Sequence, residues 1–335
     1  MLPTQSVDNA LLLATLHSLD PPYFLSSIIQ SAASTTRSHL SIILFSRIFN
    51  APDAPLPGLS PIQHWHDVHR LLTYIYVQAS NVAQNLDKLL MDINVLLLGI
   101  DSDFPQALGN NFDIVFRVAG DTIAVPLPSS ISSIRQSFLP TSDLNNSAPP
   151  QSPILSLSSL TTTPPLFDVV ALGGTFDHLH AGHKILLSLG AWIARRKIIV
   201  GITDDALLQK KANKHVMESI HTRIAHVRAF LQLFRPGIEY QTVSIDDVYG
   251  PTATDPDIQA LVVSRETISG AQSIATYREA HNLPSLQTFV IDVISADSEK
   301  LDYSDIELLK RTKMSSTFIR EWIVERMKKE EEEDH

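Results

Sequence analysis

From residue 166 onward, short apolar runs alternate with stretches of helical period, and that alternation is compatible with few folds. "FDVVALGG" is a β-rich run ending in glycine, and after Gly182 the residues Ile185, Leu186, Leu189, Trp192 and Ile193 trace one helix face. "KIIVGIT" reads as a second strand, and Val216, Ile220, Ile224, Val227, Phe230 and Leu231 mark a second helix. "IEYQTVSI", "ALVVS" and "LQTFVIDVI" read as further strands, with a helix around "SGAQSIATYREAHN" and a last one through "STFIREWIVERMKK". Strands that alternate with helices imply a doubly wound, parallel α/β sheet. Such sheets bind ligands outside the carboxyl ends of their strands.

The preceding half is set off by "LPSSISSIRQSFLPTSDLNNSAPPQSPILSLSSLTTTPP", residues 127–165. Ser, Thr and Pro dominate it without any helical period, which predicts a largely disordered linker with one short ordered piece at "SIRQSFL". Residues 1–126 then form a smaller α/β domain whose role the sequence leaves open. "DNALLLATLHSL" and "HWHDVHRLLTYIYVQASNVAQNLDKLLM" have helical spacing, while "HLSIILFS", "DINVLLLGI" and "FDIVFRVAG" read as buried strands. His64, His66 and His69 do not share one helix face and make no metal site. No internal repeat is visible. The catalytic-type domain spans 166–329, and 330–335 closes an acidic tail, "KKEEEEDH", expected to be solvated and frayed.

Composition removes several function classes. The 335 residues include no cysteine, which excludes disulfides, thiolate catalysis and cysteine-bound zinc and agrees with a cytoplasmic protein. A net charge of −10 argues against non-specific nucleic-acid binding. The longest apolar runs fall short of the ~20 residues a membrane helix needs. The first residues lack the basic flank of a signal peptide.

The chemistry concentrates in "ALGGTFDHLHAGHK", residues 171–184, which follows the first strand of the second domain and opens its first helix. Gly173 and Gly174 are expected to let the backbone turn sharply and approach a ligand. Free N–H groups near Ala181 and Gly182 favour an anion. His180 and His183, three residues apart, can face one bound group. The stretch lacks the Gly-Lys-Ser/Thr end of a P-loop and the spacing of dinucleotide binders. A zinc site on His178, His180 and His183 is conceivable but finds no fourth ligand. A second anion-binding candidate is "KMSSTFIR", residues 313–320, where Ser315, Ser316 and Thr317 offer hydroxyls and N–H groups, with Lys313 and Arg320 adding charge.

The paired motifs "GGTFDHLHAGH" and "SSTFIR" resemble those of the nucleotidyltransferase superfamily. Together with "VGITDDALLQKK", "RIAHVRAFL", "YGPTATDP" and "LVVSRET", they are most similar to the phosphopantetheine adenylyltransferases of eukaryotic and archaeal type. The resemblance covers about 165 residues and implies a Rossmann-like nucleotidyltransferase domain. It also implies adenylyl transfer from ATP to 4′-phosphopantetheine, giving dephospho-coenzyme A and pyrophosphate, with Mg²⁺ held mainly by ATP. By the same resemblance, Thr175 and His183 contact the reacting phosphates and His180 holds the triphosphate. Phe176 and Asp177 shape the turn, and Lys211 bridges the substrates, with Lys210 the alternative. Arg265 stands after a strand where it could bind phosphate. Tyr249 and its loop either line the pantetheine side or form a proline-stiffened surface turn. Another adenylyltransferase acting on nicotinamide mononucleotide, or a scaffold docking other coenzyme A-pathway enzymes, is the alternative reading.

Overall fold

The computed structural model describes residues 6–51, 58–109, 111–141, 166–291 and 315–333. It divides into two compact units, 1–165 and 166–335. In the first, the strands are β1 (Val7–Thr15), β2 (Thr36–Phe45), β3 (Asp92–Leu98), β4 (Ile114–Val118) and β5 (Gln136–Leu139). They form one parallel sheet in the order β3-β2-β1-β4-β5. Helices α1 (Ser26–Thr35) and α2 (Trp65–Asn85) connect β1 to β2 and β2 to β3, and the single turn α3 (Ser129–Ser132) precedes β5.

Two expectations for this half change. The segment "DNALLLATLHSL" is not helical: most of it is β1, the central strand, with Leu11, Leu12 and Leu13 fully buried. A strand covered on both faces reads as a continuous apolar run, and leucine and alanine then imitate a helix. The domain also extends past residue 126, because α3 and β5 lie inside the stretch read as linker and β5 completes the sheet. Residues 142–165, the rest of that stretch, lie outside the described residues. At the point where strand order reverses, the Asp121 carboxylate accepts the Thr15 N–H at 2.8 Å.

The second unit repeats that strand order. Its strands are β6 (Phe167–Gly174), β7 (Ala194–Thr203), β8 (Glu239–Ile245), β9 (Ala260–Ser264) and β10 (Gln287–Ile291), arranged β10-β9-β6-β7-β8 and all parallel. Helices α4 (Ala181–Ile193), α5 (Ile220–Phe234), α6 (Ile268–Ala280) and α7 (Ser316–Glu333) complete it. Helix α5 starts at Ile220 rather than Val216, where the Ser219 side chain accepts the Thr222 N–H. Helix α7 carries the expected frayed tail as helix to Glu333, supported by an Arg326–Glu330 pair one turn apart at 3.6 Å.

The pleat assigns the two faces of this sheet. Val169, Ala171, Ile199, Leu261 and Val263 pack with Ala271 and Ile274 of α6, so alternate residues Leu172 and Ile198 face the other way. Helix α4 approaches that second face closely at Gly190, where a Cβ would stand 2.5 Å from Leu172 Cδ2 and 3.3 Å from Ile198 Cδ1. Leu172 is itself buried and has little room to withdraw. Overpacking of this kind costs about 1–3 kcal/mol. Gly190→Val is therefore expected to lower the urea midpoint of the second unit at unchanged slope, and an unshifted midpoint would show that α4 can move off the sheet freely.

Candidate functional site

The ends of β6, β7 and β9 and the start of α4 meet at one edge of the second sheet, the switch point between β6 and β9. Gly173 and Gly174 are the last residues of β6 rather than the turn itself. The left-handed positions belong to Phe176 and His178, with φ of 52° and 45°. Side chains with a Cβ adopt this region at a cost and hold it only where their surroundings over-determine it. Phe176 is fully buried and its ring lies 5.2 Å from that of His183, which anchors the first of these residues.

Asp177, between the two, supplies the second anchor and has no exposure. Its Oδ1 accepts the Glu218 N–H at 2.9 Å, its Oδ2 accepts from Arg320 at 2.6 Å, and its main-chain oxygen accepts from the Ser316 hydroxyl at 2.8 Å. Arg320, 2% exposed, also donates to the Ala212 carbonyl at 2.9 Å and to the Thr317 hydroxyl at 3.3 Å. The guanidinium thus faces the inside of the unit and fastens α7 to the first loop. Breaking a buried pair by removing one partner costs about 3–5 kcal/mol, because the other charge is left uncompensated. Ser316 is likewise engaged, while the Ser315 hydroxyl accepts the Phe318 N–H at 3.2 Å as a helix cap. Lys313 lies outside the described residues.

His178 turns away from the ligand edge. Its main-chain N–H donates to Glu218 Oε2 at 2.9 Å, and its Nε2 lies 2.8 Å from the Val216 carbonyl. A carbonyl only accepts, so Nε2 carries the proton. His180 and His183 are brought together instead, their rings stacked at 3.8 Å and 24°. Neither Nδ1 finds a hydrogen-bond partner among the described residues. Burial, with the nearby charges of His178 and Lys184, depresses His180 to a pKa of about 3. Burial and the His180 neighbour hold His183 well below the usual imidazole value. Both rings are neutral at physiological pH. Among the described residues, no group of three or more His, Asp or Glu side chains is placed to hold a metal ion.

Thr175 is half-buried on the loop, and Lys210 and Lys211 are exposed on the turn that follows β7. That turn joins the site through Ala212, whose carbonyl Arg320 holds. Arg265 is exposed directly after β9, the strand paired with β6. Tyr249 packs against the α6 face of the sheet, its ring 5.0 Å from Tyr277. The adjoining Gly250 crowds Ile245, which in turn approaches Gly173. Two residues that sequence reasoning gave no role, Arg223 and Arg278, prove to be fully buried. Arg278 donates to the carbonyls of Pro284, Thr252 and Asp255 and so pins the Tyr249 loop. Each is an arginine on an otherwise apolar helix face, and Arg223 also opens the segment "RIAHVRAFL".

No helix among the described residues is long and apolar enough to cross a membrane. Residues 171–322 match the cytidylyltransferase-like family. The chain is 43% identical over 156 residues to a phosphopantetheine adenylyltransferase of Saccharomyces cerevisiae, covering 45% of this chain and 51% of that one. It is 34% identical over 139 residues to a phosphopantetheine adenylyltransferase of Methanopyrus kandleri, covering 41% of this chain and 87% of that one. A solved Archaeoglobus fulgidus protein of unknown function aligns at 29% identity and a TM-score of 0.35, over 39% of this chain and 93% of its own. The chain thus spans about half the length of the yeast relatives it matches, one at 51% and one at 47%, and most of the archaeal one. With both candidate loops inside the matched region, the chain belongs to the phosphopantetheine adenylyltransferase family.

Proposed function

We propose that the second unit transfers the adenylyl group of ATP to 4′-phosphopantetheine, releasing pyrophosphate and forming dephospho-coenzyme A. The observation that carries this reading is the fastening of the Thr175–His183 loop to α7 through Asp177 and Arg320, which puts two anion-binding candidates beside one strand edge. The names of the relatives favour pantetheine phosphate over nicotinamide mononucleotide as acceptor. Both substrates are small cytoplasmic molecules, and we place the reaction there, with the first unit available to dock neighbouring coenzyme A-pathway enzymes.

The chemistry asks little of a base. A phosphate oxygen of the acceptor attacks the α-phosphorus, a new P–O bond forms, and the bond to the β-phosphate oxygen breaks with its electron pair leaving on pyrophosphate. An ionised phosphate is already nucleophilic, so positioning and charge stabilisation supply the rate. Thr175, His180 and His183 would contact the triphosphate and the reacting phosphate. A neutral imidazole still carries one N–H donor, and an arriving polyanion favours its protonation. Lys211 or Lys210 would reach across from the turn after β7, and Ser315, Thr317 and Arg265 would meet the outer phosphates. Gly173 and Gly174 leave the strand end open to the ligand. Arg320, whose guanidinium is bonded to Asp177 and Ala212, would act through Asp177. Magnesium would arrive on the triphosphate, neutralising part of its charge, with ATP and water as its principal ligands.

Incubation with MgATP and either acceptor tests the assignment directly. Pyrophosphate release is expected with 4′-phosphopantetheine and not with nicotinamide mononucleotide, and the reverse would replace the acceptor. His183→Ala is expected to leave the fold intact and lower kcat by a few hundred-fold, since loss of one positioned donor typically costs ~3–4 kcal/mol. Near-wild-type turnover would remove this side chain from the mechanism. The histidine pair also predicts a pH dependence of stability. Both imidazoles titrate near 6.5 when unfolded and lower when folded, so the unfolded chain binds more protons as pH falls below that value. Their stabilising contribution is complete above pH ~6.5 and is lost as pH falls, that of His180 toward its folded pKa of about 3 and that of His183 in the same direction. The stability of a His180→Gln/His183→Gln variant should therefore fall less than wild type between pH 7 and 5, and equal losses would contradict the burial-driven shift.

A further inference from the structure

Arg223 stands near the start of α5, outside the loops discussed so far, with no exposed side-chain surface. Its guanidinium reaches four acceptors from four segments. One terminal nitrogen donates to the Thr175 carbonyl at 2.7 Å and the Thr203 carbonyl at 2.9 Å, and Nε donates to the Glu218 carbonyl at 3.1 Å. The other terminal nitrogen pairs with the Asp205 carboxylate. A planar fork of five N–H donors can serve such a set, whereas a lysine ammonium cannot reproduce its geometry. The charge is fully desolvated, which is tolerable only with acceptors this well placed.

The four acceptors are not an arbitrary collection. Holding the Thr175 carbonyl fixes the peptide plane between Thr175 and Phe176, and with it the direction in which the Thr175 side chain leaves the loop. Holding Asp205 fixes the first residue of the short 3-10 turn Asp205–Leu208, and Lys210 and Lys211 follow two residues after that turn begins to unwind. Lys211 continues the same local structure through its N–H bond to the Leu208 carbonyl at 3.1 Å. Thr203 ends β7, between the two. We propose that Arg223 is a positioning residue that sets the spacing between the Thr175 loop and the lysine turn. It thereby decides whether the groups on the ATP side and those bridging to the acceptor converge on one phosphorus. The kinetic part of this inference rests on the adenylyl-transfer reading, while its structural part does not.

The two arms of the fork can be cut separately. Asp205 is half-exposed and Arg223 keeps its three carbonyl acceptors, so Asp205→Ala should lose stability through the uncompensated guanidinium but still fold and release the lysine turn, while Arg223→Lys disturbs both segments. Amide exchange of the full-length protein is expected to quicken at Leu207 and Lys211 in Asp205→Ala and to stay unchanged at Phe176 and Asp177. In Arg223→Lys it should quicken at both places. In steady-state assays Asp205→Ala should lose roughly ten-fold in kcat with KM for ATP within about two-fold of wild type, whereas Arg223→Lys should lose kcat and also raise that KM. A merely structural arginine would instead give kcat losses that follow the folded fraction, with no split between the two constants. Unchanged exchange at Leu207 and Lys211 in Asp205→Ala overturns the inference. So does faster exchange without any kcat loss in a wild-type background that makes dephospho-coenzyme A. If wild type makes none, the acceptor assignment fails, and the exchange pattern alone decides the role of Arg223.

Discussion

A carboxylate sealed from water against a guanidinium, Asp177 on Arg320, holds together three stretches of chain that are far apart in sequence. Through Arg320 it reaches Ala212 and α7, and through its other oxygen it reaches Glu218 at the entry to α5. Everything the site needs hangs on those contacts. The loop after β6 has two side-chain-bearing residues in left-handed backbone, which relax to ordinary conformations unless something holds them. The buried Phe176 ring holds the first of them, and the ion pair of Asp177, which lies between the two, holds the turn.

The second consequence of that arrangement is electrical. With Arg320 committed to Asp177 and Arg223 to Asp205, and with His178 bonded to the Val216 carbonyl, the guanidinium groups nearest the loop are directed inward. The groups left at the strand-end edge are two neutral, stacked imidazoles, hydroxyls, the exposed Arg265, and lysines on an exposed turn. On the proposed reading, an arriving triphosphate would tilt the histidines toward protonation, so that the ligand itself would complete the charge complementarity.

Legibility in the sequence followed burial. Strands β7, β8 and β9 and helices α4 and α6 stood out because their apolar patterns have a period and their ends carry turn residues. Strand β1 misled because a central strand has no polar face from which to read a period. Strand β5 lies within "SIRQSFL", the one piece of the Ser- and Pro-rich stretch expected to be ordered, but its four residues carry too few apolar side chains to mark it as a strand of the first sheet. In the site, His180 and His183 were legible from their spacing and do lie together. The direction of Arg320 was not, because an arginine at the start of a helix looks the same whether it meets a phosphate or a buried aspartate 143 residues away. The sequence places the sharp turn at Gly173 and Gly174, whereas the left-handed backbone of the loop falls on Phe176 and His178.

The shared strand order of the two units bears on how the chain is made. In each unit the first strand synthesised becomes the centre of the sheet, and one of its flanks is filled only much later, Ala10 by Ile114 and Val170 by Ala260. During synthesis each unit therefore carries an open, apolar strand edge for most of its length, the condition under which wrong pairings compete. Two units with the same strand order double that exposure, since the second central strand emerges as the first sheet is closing. The sequence between β5 and β6 is rich in Pro and Ser, residues that disfavour strand pairing, so it offers little of its own to either open edge.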